Sequence, residues 1–550
     1  NRLYKHLDRQ IADTYAKASI AQNKNGLRDP YVRALGWASA RIGDEGIVAF
    51  VINRKFIQGK AADGIRHYLS RDFTSLFLVD LGGDVRSNPK LSGTKHNVFG
   101  IQTGICIALL IKHKKGATAS TQLNYTSAGE MWTKAQKFAW LQDSQSSSNM
   151  QWGRISPSER NDWLTSSTDE EFSTLVPLQQ SKSELGIFEV ISNGLKSNRD
   201  AWAFNFSASV LRKNIRRTID FFNAHVRRWR TVKSVPVDQF VENDDHSISW
   251  SRDLKKALAA GREIGFEERN LTQAIYRPYT KTLLYFDGTL NEEIYQLPHV
   301  FPPRKENAAI VVTAHQQVPF SAQSVQLVPC VDLGGRPSQL FPLYIYDEDG
   351  TNRRENITDW ALAEFRSHYG RKSISKLDIF HYTYALLHHP KYRARYAANL
   401  KRELPRIPFA PDFPEYARIG ADLMRLHLEY EKQPEYPLER RETGKLDWRV
   451  EKMALSKDKT QLKYNQFLTL SGIPPEVYEY RLGNRSALEW VVDQYRVTTD
   501  KRSGIVNDPN RADDPEYIVR LIGQVVTVSL ETVRLVRELA ALPLLPVTER

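Results

Sequence analysis

Between residues 31 and 112 the apolar positions alternate between helical spacing and strand-type runs. Val32, Leu35, Ala38 and Ile42 recur at helical intervals and share one face. Gly46 opens a continuous apolar run, Ile47 to Ile52, of strand length. Residues 61–69 predict a second short helix with Ile65 and Leu69 on one side. Ser75–Leu81 (SLFLVDL) and Gly104–Ile111 (GICIALLI) predict two further buried strands. Strands apolar on both faces, alternating with helices, predict an α/β fold with helices covering both sides of a sheet. A polar loop ahead of the last strand holds His96-Asn97-Val98-Phe99-Gly100.

The remaining text changes character twice. Residues 117–155 are rich in Ser, Thr and Gln, which places a domain boundary at 116. Residues 211–234 predict a helix with Ile215, Ile219, Phe222 and Val226 on one side. Gly186–Ile191 reads as a strand, and residues 199–210 alternate enough to include another. From Thr272 the pattern is β-rich, with Asp287-Gly288 as a turn signal and strands expected at 308–313, 324–329 and 340–346. The polar stretch 347–356 places a second boundary, beyond which the chain reads as mainly helical. Helices are expected at 375–388, from Pro390 to Leu404, and at 516–539 with a Val519, Ile522, Val526, Leu530, Val533, Val536 stripe. The expected domains are therefore 1–116, 117–350 and 351–550, in a chain of 550 residues.

Composition narrows the function classes. No apolar run is long enough to cross a bilayer. Cys106 and Cys330 are too few for a disulfide framework or a Cys-rich zinc site, and fit a reducing, cytoplasmic compartment. The chain opens on Asn1 rather than Met, and the expectation is that it was cut from something longer or that the sequence is trimmed. Net charge is +13 with a pI near 9.4, which favours a polyanionic partner, nucleic acid before a membrane surface. Residues 211–234 hold eight Lys or Arg against one acid, and 391–406 hold six against one, with aromatics between them. Either stretch is equally readable as a solvated helix face.

Catalytic signatures are sparse. His381, His388 and His389 cluster among Tyr, Leu and Phe without a metal-binding spacing, which favours packing over ligation. Gly82-Gly83-Asp84 follows a strand, but no phosphate-loop or dinucleotide fingerprint accompanies it, and no nucleophile elbow is present. Asp169, Glu170 and Glu171 read as a solvated acidic face.

The order helix, strand, helix, strand, strand over 31–112 resembles the second half of a class I methyltransferase domain, whose sheet ends in an antiparallel hairpin. Asp29-Pro30-Tyr31, the strand from Gly46 to Val51 and Asn53-Arg54-Lys55-Phe56 resemble blocks of the gamma-class N6-adenine DNA methyltransferases. Residues 275–291, 378–409 and 486–510 resemble the C-terminal portion of Type ISP restriction–modification enzymes, which combine nuclease, ATPase, methyltransferase and target-recognition domains in one polypeptide. The family's Asn-Pro-Pro-Tyr motif and its glycine-rich cofactor turn are not in this sequence.

The resemblance implies a partial Rossmann-like methyltransferase sheet, then a mixed α/β target-recognition region with a largely helical C-terminal part. It implies that Phe99 stacks on a flipped adenine. It implies S-adenosylmethionine as cofactor of the intact enzyme, its site upstream of Asn1, with Mg and ATP serving nuclease and ATPase domains further upstream. The implied partners are double-stranded DNA and the missing N-terminal portion, with no membrane. Arg277, Lys281, Arg304 and Lys305 are expected DNA contacts in the loop-and-strand region, and Arg393, Arg395, Lys401 and Arg402 are expected phosphate contacts on the helical part. The isolated chain is expected to be inactive, and residues 1–116 to be weakly stable at an uncovered sheet edge. Two other readings stand beside this one. The first is a non-enzymatic specificity subunit serving a separate methyltransferase chain. The second is a basic α/β protein bound to RNA or to another protein.

Overall fold

The computed structural model describes residues 4–19, 21, 24–84, 94–113, 121–129, 131–158, 161–164, 167–181, 184–232, 235–315 and 318–544. They form two compact units, residues 1–173 and 174–550.

The first unit is a five-stranded mixed sheet with helices packed on it. Helix α1 (Pro30–Arg41) starts where the resemblance put Asp29-Pro30, with proline in its first turn, where no intrahelical N–H is needed. Its Val32 and Leu35 have no exposure. Strand β1 (Gly46–Asn53) leads into α2 (Asp63–Asp72), then β2 (Ser75–Gly82), β3 (Ile105–Lys112), β4 (Gln122–Ser127), α3 (Lys134–Ser144) and β5 (Gly153–Ile155). The spatial order is β1-β3-β2-β4-β5. Strand β3 runs antiparallel to both β1 and β2, and β2 runs parallel to β4. Strands β1, β2 and β4 therefore share one direction, with β3 inserted against them.

The unit does not stop at residue 116. Strands β4 and β5 belong to the same sheet. Arg66, fully buried on α2, donates to the carbonyl of Asn161, 95 residues further on, at 2.6 Å and pairs with Asp162 at 2.7 Å. The Ser/Thr/Gln-rich text concealed this, because β4 is half-exposed and carries little apolar alternation. Strand β1 is an edge strand, and its Ile47 and Val51 are 69% and 54% exposed.

The second unit joins two four-stranded sheets to a helical layer. Helix α4 (Ala208–Thr231) is capped by Ser207 and buries Leu211, Ile215, Ile219, Phe222 and Val226. Strands β6 (Leu271–Arg277) and β7 (Thr280–Tyr285) form a hairpin flanked by Val328–Pro329 and Phe204–Asn205. The hairpin turns at Pro278-Tyr279, where Pro278 ends the strand and Tyr279 takes φ +57° while fully buried, and the expected Asp287-Gly288 turn follows β7. Strands β8 (Ala309–His315), β9 (Val318–Val325) and β10 (Gln339–Pro342) form the second sheet with Ser192–Asn193. Gly186–Ile191 is no strand; only Phe188 makes isolated bridges, to Gln179 and Ile357, while Ile187 and Phe188 are buried as loop anchors.

Helices α5 (Lys376–His388), α6 (Pro390–Arg395), α7 (Phe413–Leu428) and α8 (Tyr517–Ala541) make the helical layer. A capping box of Ser375 and Asp378 starts α5. The helix expected from Pro390 to Leu404 breaks at Tyr396, where the fully buried ring turns the chain inward. Helices α5 and α7 touch at Gly420, where a Cβ would fall 1.9 Å from the carbonyl oxygen of His381. The C-terminal third also holds a four-stranded sheet of short strands between residues 439 and 471. Its first strand, Glu439–Glu442, is exposed throughout and so lacks the apolar alternation that reveals strands.

Candidate functional site

The carboxyl ends of β1, β2 and β4 lie on one edge of the first sheet, as does the amino end of β3: Asn53 and Gly82 both pair with Ile105, and Asp80 pairs with Ser127. In open α/β sheets this edge is where ligands bind. A buried polar network organises it. Arg54 Nε donates to both carboxylate oxygens of Asp80, at 2.7 and 2.8 Å, and the Tyr125 hydroxyl donates to the same carboxylate at 2.9 Å. Burial and the adjacent Asp80 charge push the Tyr125 phenol well above its ordinary value. The same two causes, burial first, push up the Cys106 thiol on β3, which is free and buried. Lys137, on α3 and without exposure, donates its ammonium protons to the carbonyls of Leu81 at 2.6 Å and His96 at 2.7 Å.

Residues 94–104 enter β3 over this network. Val98 is buried against Val79, Leu81, Ile105 and Ala128. The next side chain, Phe99, is 59% exposed, and Ile101 is 45% exposed. Phe99 is thus an aromatic ring held out of the core at this edge, while Trp37 and Phe138, exposed rings of the same unit, lie on helices α1 and α3.

The cations expected to meet DNA divide into two groups. Arg277 lies 4.1 Å over the Tyr276 ring and donates to the Tyr276 carbonyl and to Cys330 Sγ. Lys281 pairs with Glu431, which also accepts the Tyr517 hydroxyl. Arg393 donates to the Leu387 carbonyl at 2.6 Å and sits over Phe320, and burial lowers its pKa to about 10. These three are held by partners inside the protein. Arg304, Lys305, Arg395 and Lys401 are exposed, and Arg402 is partly so. The basic stretch on α4 is a salt-bridged face: Arg212 pairs with Glu268, Arg227 and Arg230 with Glu263, and Arg228 with Glu242. His388 and His389 are buried in the helical layer. The side chains of Asp169 and Glu170, and Lys114, Lys115, Lys233 and Ser234, lie outside the described residues.

The profile of the family described as the Type ISP C-terminal specificity domain matches residues 186–521. That is well over half of the chain. The chain belongs to this Type ISP family. No curated protein matches it. Among solved structures it is similar to a nuclease-deletion mutant of the Type ISP restriction–modification enzyme LlaGI in complex with a DNA substrate mimic, with 34% identity and a TM-score of 0.83 over 99% of this chain and 51% of that one. It is similar to the ATP-dependent Type ISP enzyme LlaBIII bound to DNA, with 31% identity and a TM-score of 0.84 over 99% of this chain and 36% of that one. It is also similar to DrdV in a DNA complex, with 33% identity and a TM-score of 0.81 over 98% of this chain and 55% of that one. The Type ISP chain thus spans between about a third and just over half of those polypeptides.

Two features of this Type ISP chain escaped sequence reasoning. Arg336 is exposed on the loop before β10, and among the described residues it has no hydrogen-bond or ion-pair partner. The preceding Gly335 has φ +82°, and a Cβ on Gly483 would lie 2.8 Å from the Gly334 carbonyl oxygen, so two loops meet backbone to backbone beneath Arg336. The run Gly334-Gly335-Arg336-Pro337 was the available signal. The second is Asn97, whose role depends on carbonyls that the sequence does not place near it. Among the described residues no group of three or more His, Cys, Asp or Glu is arranged to hold a metal, and no helix is long and apolar enough to cross a membrane.

Proposed function

We propose that this chain recognises a double-stranded DNA sequence and contributes one wall of a base-flipping N6-adenine methyltransferase site in a single-polypeptide restriction–modification enzyme of the cytoplasm. The observation that carries the methyltransferase part is Phe99, exposed at the carboxyl edge of parallel strands next to an antiparallel β2–β3 pair. An adenine N6 is inaccessible inside a duplex, so the base must leave the stack and rest on an aromatic face. Phe99 offers that face. The DNA-recognition part is supported by family membership and by the three DNA-bound relatives.

The described residues do not fit S-adenosylmethionine. Around Phe99 the buried polar side chains Asp80, Asn97 and Lys137, with the partly exposed Arg54, are occupied with one another and with backbone carbonyls, which leaves no cradle there for a charged cofactor. We place the cofactor site and the amide grip on the adenine amino group in a segment outside these residues. The uncovered edge of β1, with Ile47 and Val51 exposed, is where that segment would pair.

In the second unit we assign DNA contact to the exposed cations Arg304, Lys305, Arg336, Arg395 and Lys401. Arg336 and Arg304 can read guanine edges, and the lysines and Arg395 suit phosphates. Selection of duplex DNA on this chain, followed by affinity measurement over a salt series, tests the reading. One duplex sequence should bind well above scrambled duplex and RNA. Arg336→Ala should reduce that preference, while Arg395→Ala with Lys401→Ala should weaken all duplexes alike and flatten the salt slope by about two. Equal affinity for scrambled duplex or RNA would overturn it.

A further inference from the structure

Asn97 has a role beyond packing. It is 1% exposed, and its amide uses both ends. Nδ2 donates to the carbonyls of Thr103 at 2.7 Å and Gly83 at 3.2 Å. Oδ1 accepts from the backbone N–H of Phe99 at 2.9 Å and of Ile101 at 3.3 Å. The first pair of bonds ties the end of β2 to the start of β3. The second pair orders the backbone that carries the exposed ring.

The surroundings tighten the same arrangement. Gly83 has φ +75°, and a Cβ there would fall 2.7 Å from the His96 carbonyl oxygen, so the loop lies directly on the end of β2. Gly100 has φ +68°, which lets the chain reverse just after the ring. The Lys137 ammonium holds the His96 carbonyl from beneath, and the Lys134 N–H donates to the Lys95 carbonyl at 2.9 Å. Val98 is locked in the core one residue before Phe99 is turned out. An exposed phenyl ring free of such restraint would settle on nearby apolar surface.

We infer that Asn97 is the positioning residue for base stacking: it fixes Phe99 outward before DNA arrives, so that a flipped base meets a preformed face. This rests on the reading of Phe99 as the stacking residue. Preorganisation removes the ordering cost from the flipping step, so its loss is felt at the step that follows DNA binding.

The test uses the full polypeptide, this chain continuous with the segment that supplies the cofactor site. The DNA is a duplex with 2-aminopurine at the target adenine, whose emission is quenched when the base stacks. Methyl transfer is measured at saturating unlabelled duplex. Phe99→Ala should raise the emission and slow transfer. Asn97→Ala should do both, slowing transfer by between about tenfold and a hundredfold while duplex affinity stays within about threefold. The double variant should be no slower than the slower single one. Asn97→Ser keeps an acceptor for the Phe99 N–H and should fall between Asn97→Ala and the parent, which preserves the test should Asn97→Ala fold poorly. If Phe99→Ala has its effects while both Asn97 variants keep parental emission and rate, the role of Asn97 is overturned and that of Phe99 stands. If Phe99→Ala itself changes neither, both are overturned.

Discussion

The loop over the first sheet and the helical layer of the second unit are both built on buried polar side chains, with opposite results. In the loop, Asn97 and Lys137 bond to backbone carbonyls, and the outcome is an aromatic ring in solvent. In the helical layer the polar groups close on one another. The Tyr384 hydroxyl and His427 Nδ1 lie 2.6 Å apart, His427 Nε2 and Thr532 Oγ1 2.8 Å apart, and the Tyr384 hydroxyl accepts the Ser324 N–H. His427 stacks on Tyr480, whose hydroxyl meets that of Tyr279 at 2.9 Å. Nothing in that network projects outward. In the loop the buried polar groups aim a surface group, whereas in the helical layer they fix a core.

If this contrast holds, acid should damage the helical layer most. Burial lowers the pKa of His389 to about 4 and that of His427 to about 3, and it lowers His388 well below the ordinary value, so all three are neutral when folded. A histidine with a depressed folded pKa contributes stability that is complete above its unfolded value of about 6.5 and is lost as pH falls below it. At pH 5 the loss should be about 2 kcal/mol for each of His389 and His427, measured by urea unfolding at pH 7.5, 6 and 5. A flat profile would mean that these imidazoles are hydrated.

Gly420→Ala comes next. Its methyl would strike the His381 carbonyl at the α5–α7 crossing, and about 3 kcal/mol should be lost in the same assay. Tyr384→Phe should cost about 2 kcal/mol, because it leaves the Ser324 N–H and the His427 imidazole without their partner. Phe99→Ala should change stability by no more than about 0.5 kcal/mol, since the ring is exposed. The same substitution should remove roughly 1–3 kcal/mol of base stacking, read as weakened retention of the flipped base. A large stability loss from Phe99→Ala would erase the distinction between the two regions.

Much of the architecture was legible in the periodicity. Residues 31–42, 47–52, 75–81 and 104–111 gave a helix and three strands within a residue or so of α1, β1, β2 and β3, and the last helix was found at 516–539 against Tyr517–Ala541. These segments are buried on one or two faces, so their local pattern reports their environment. The misses share a cause. Strand β4 is half-exposed with only Leu123 fully in the core, and the strand Glu439–Glu442 is exposed throughout, so neither carries a clear apolar alternation. Asp287-Gly288 does mark a turn, the one that follows β7, whereas the hairpin turn at Pro278-Tyr279 gave no such signal because a buried tyrosine reads as core.

The cationic residues show the same limit. Arg393 and Arg395 read alike in KYRARY, yet one is bonded to the Leu387 carbonyl and the other is exposed. The basic run on α4 is equally readable from sequence as a ligand surface or a solvated face, and Glu242, Glu263 and Glu268 lie against it.

The sequence by itself determined the alternation of helices and strands, the basic balance and the motif around Phe99, because each is a property of neighbouring residues. Only the tertiary structure decided that Val98 goes in and Phe99 goes out, that Asn97 reaches Gly83 and Thr103 at once, and that Arg393 is bonded within the protein while Arg395 lies at the surface. Those outcomes depend on carbonyls and carboxylates brought from distant parts of the chain, and burial makes their hydrogen bonds strong enough to set direction.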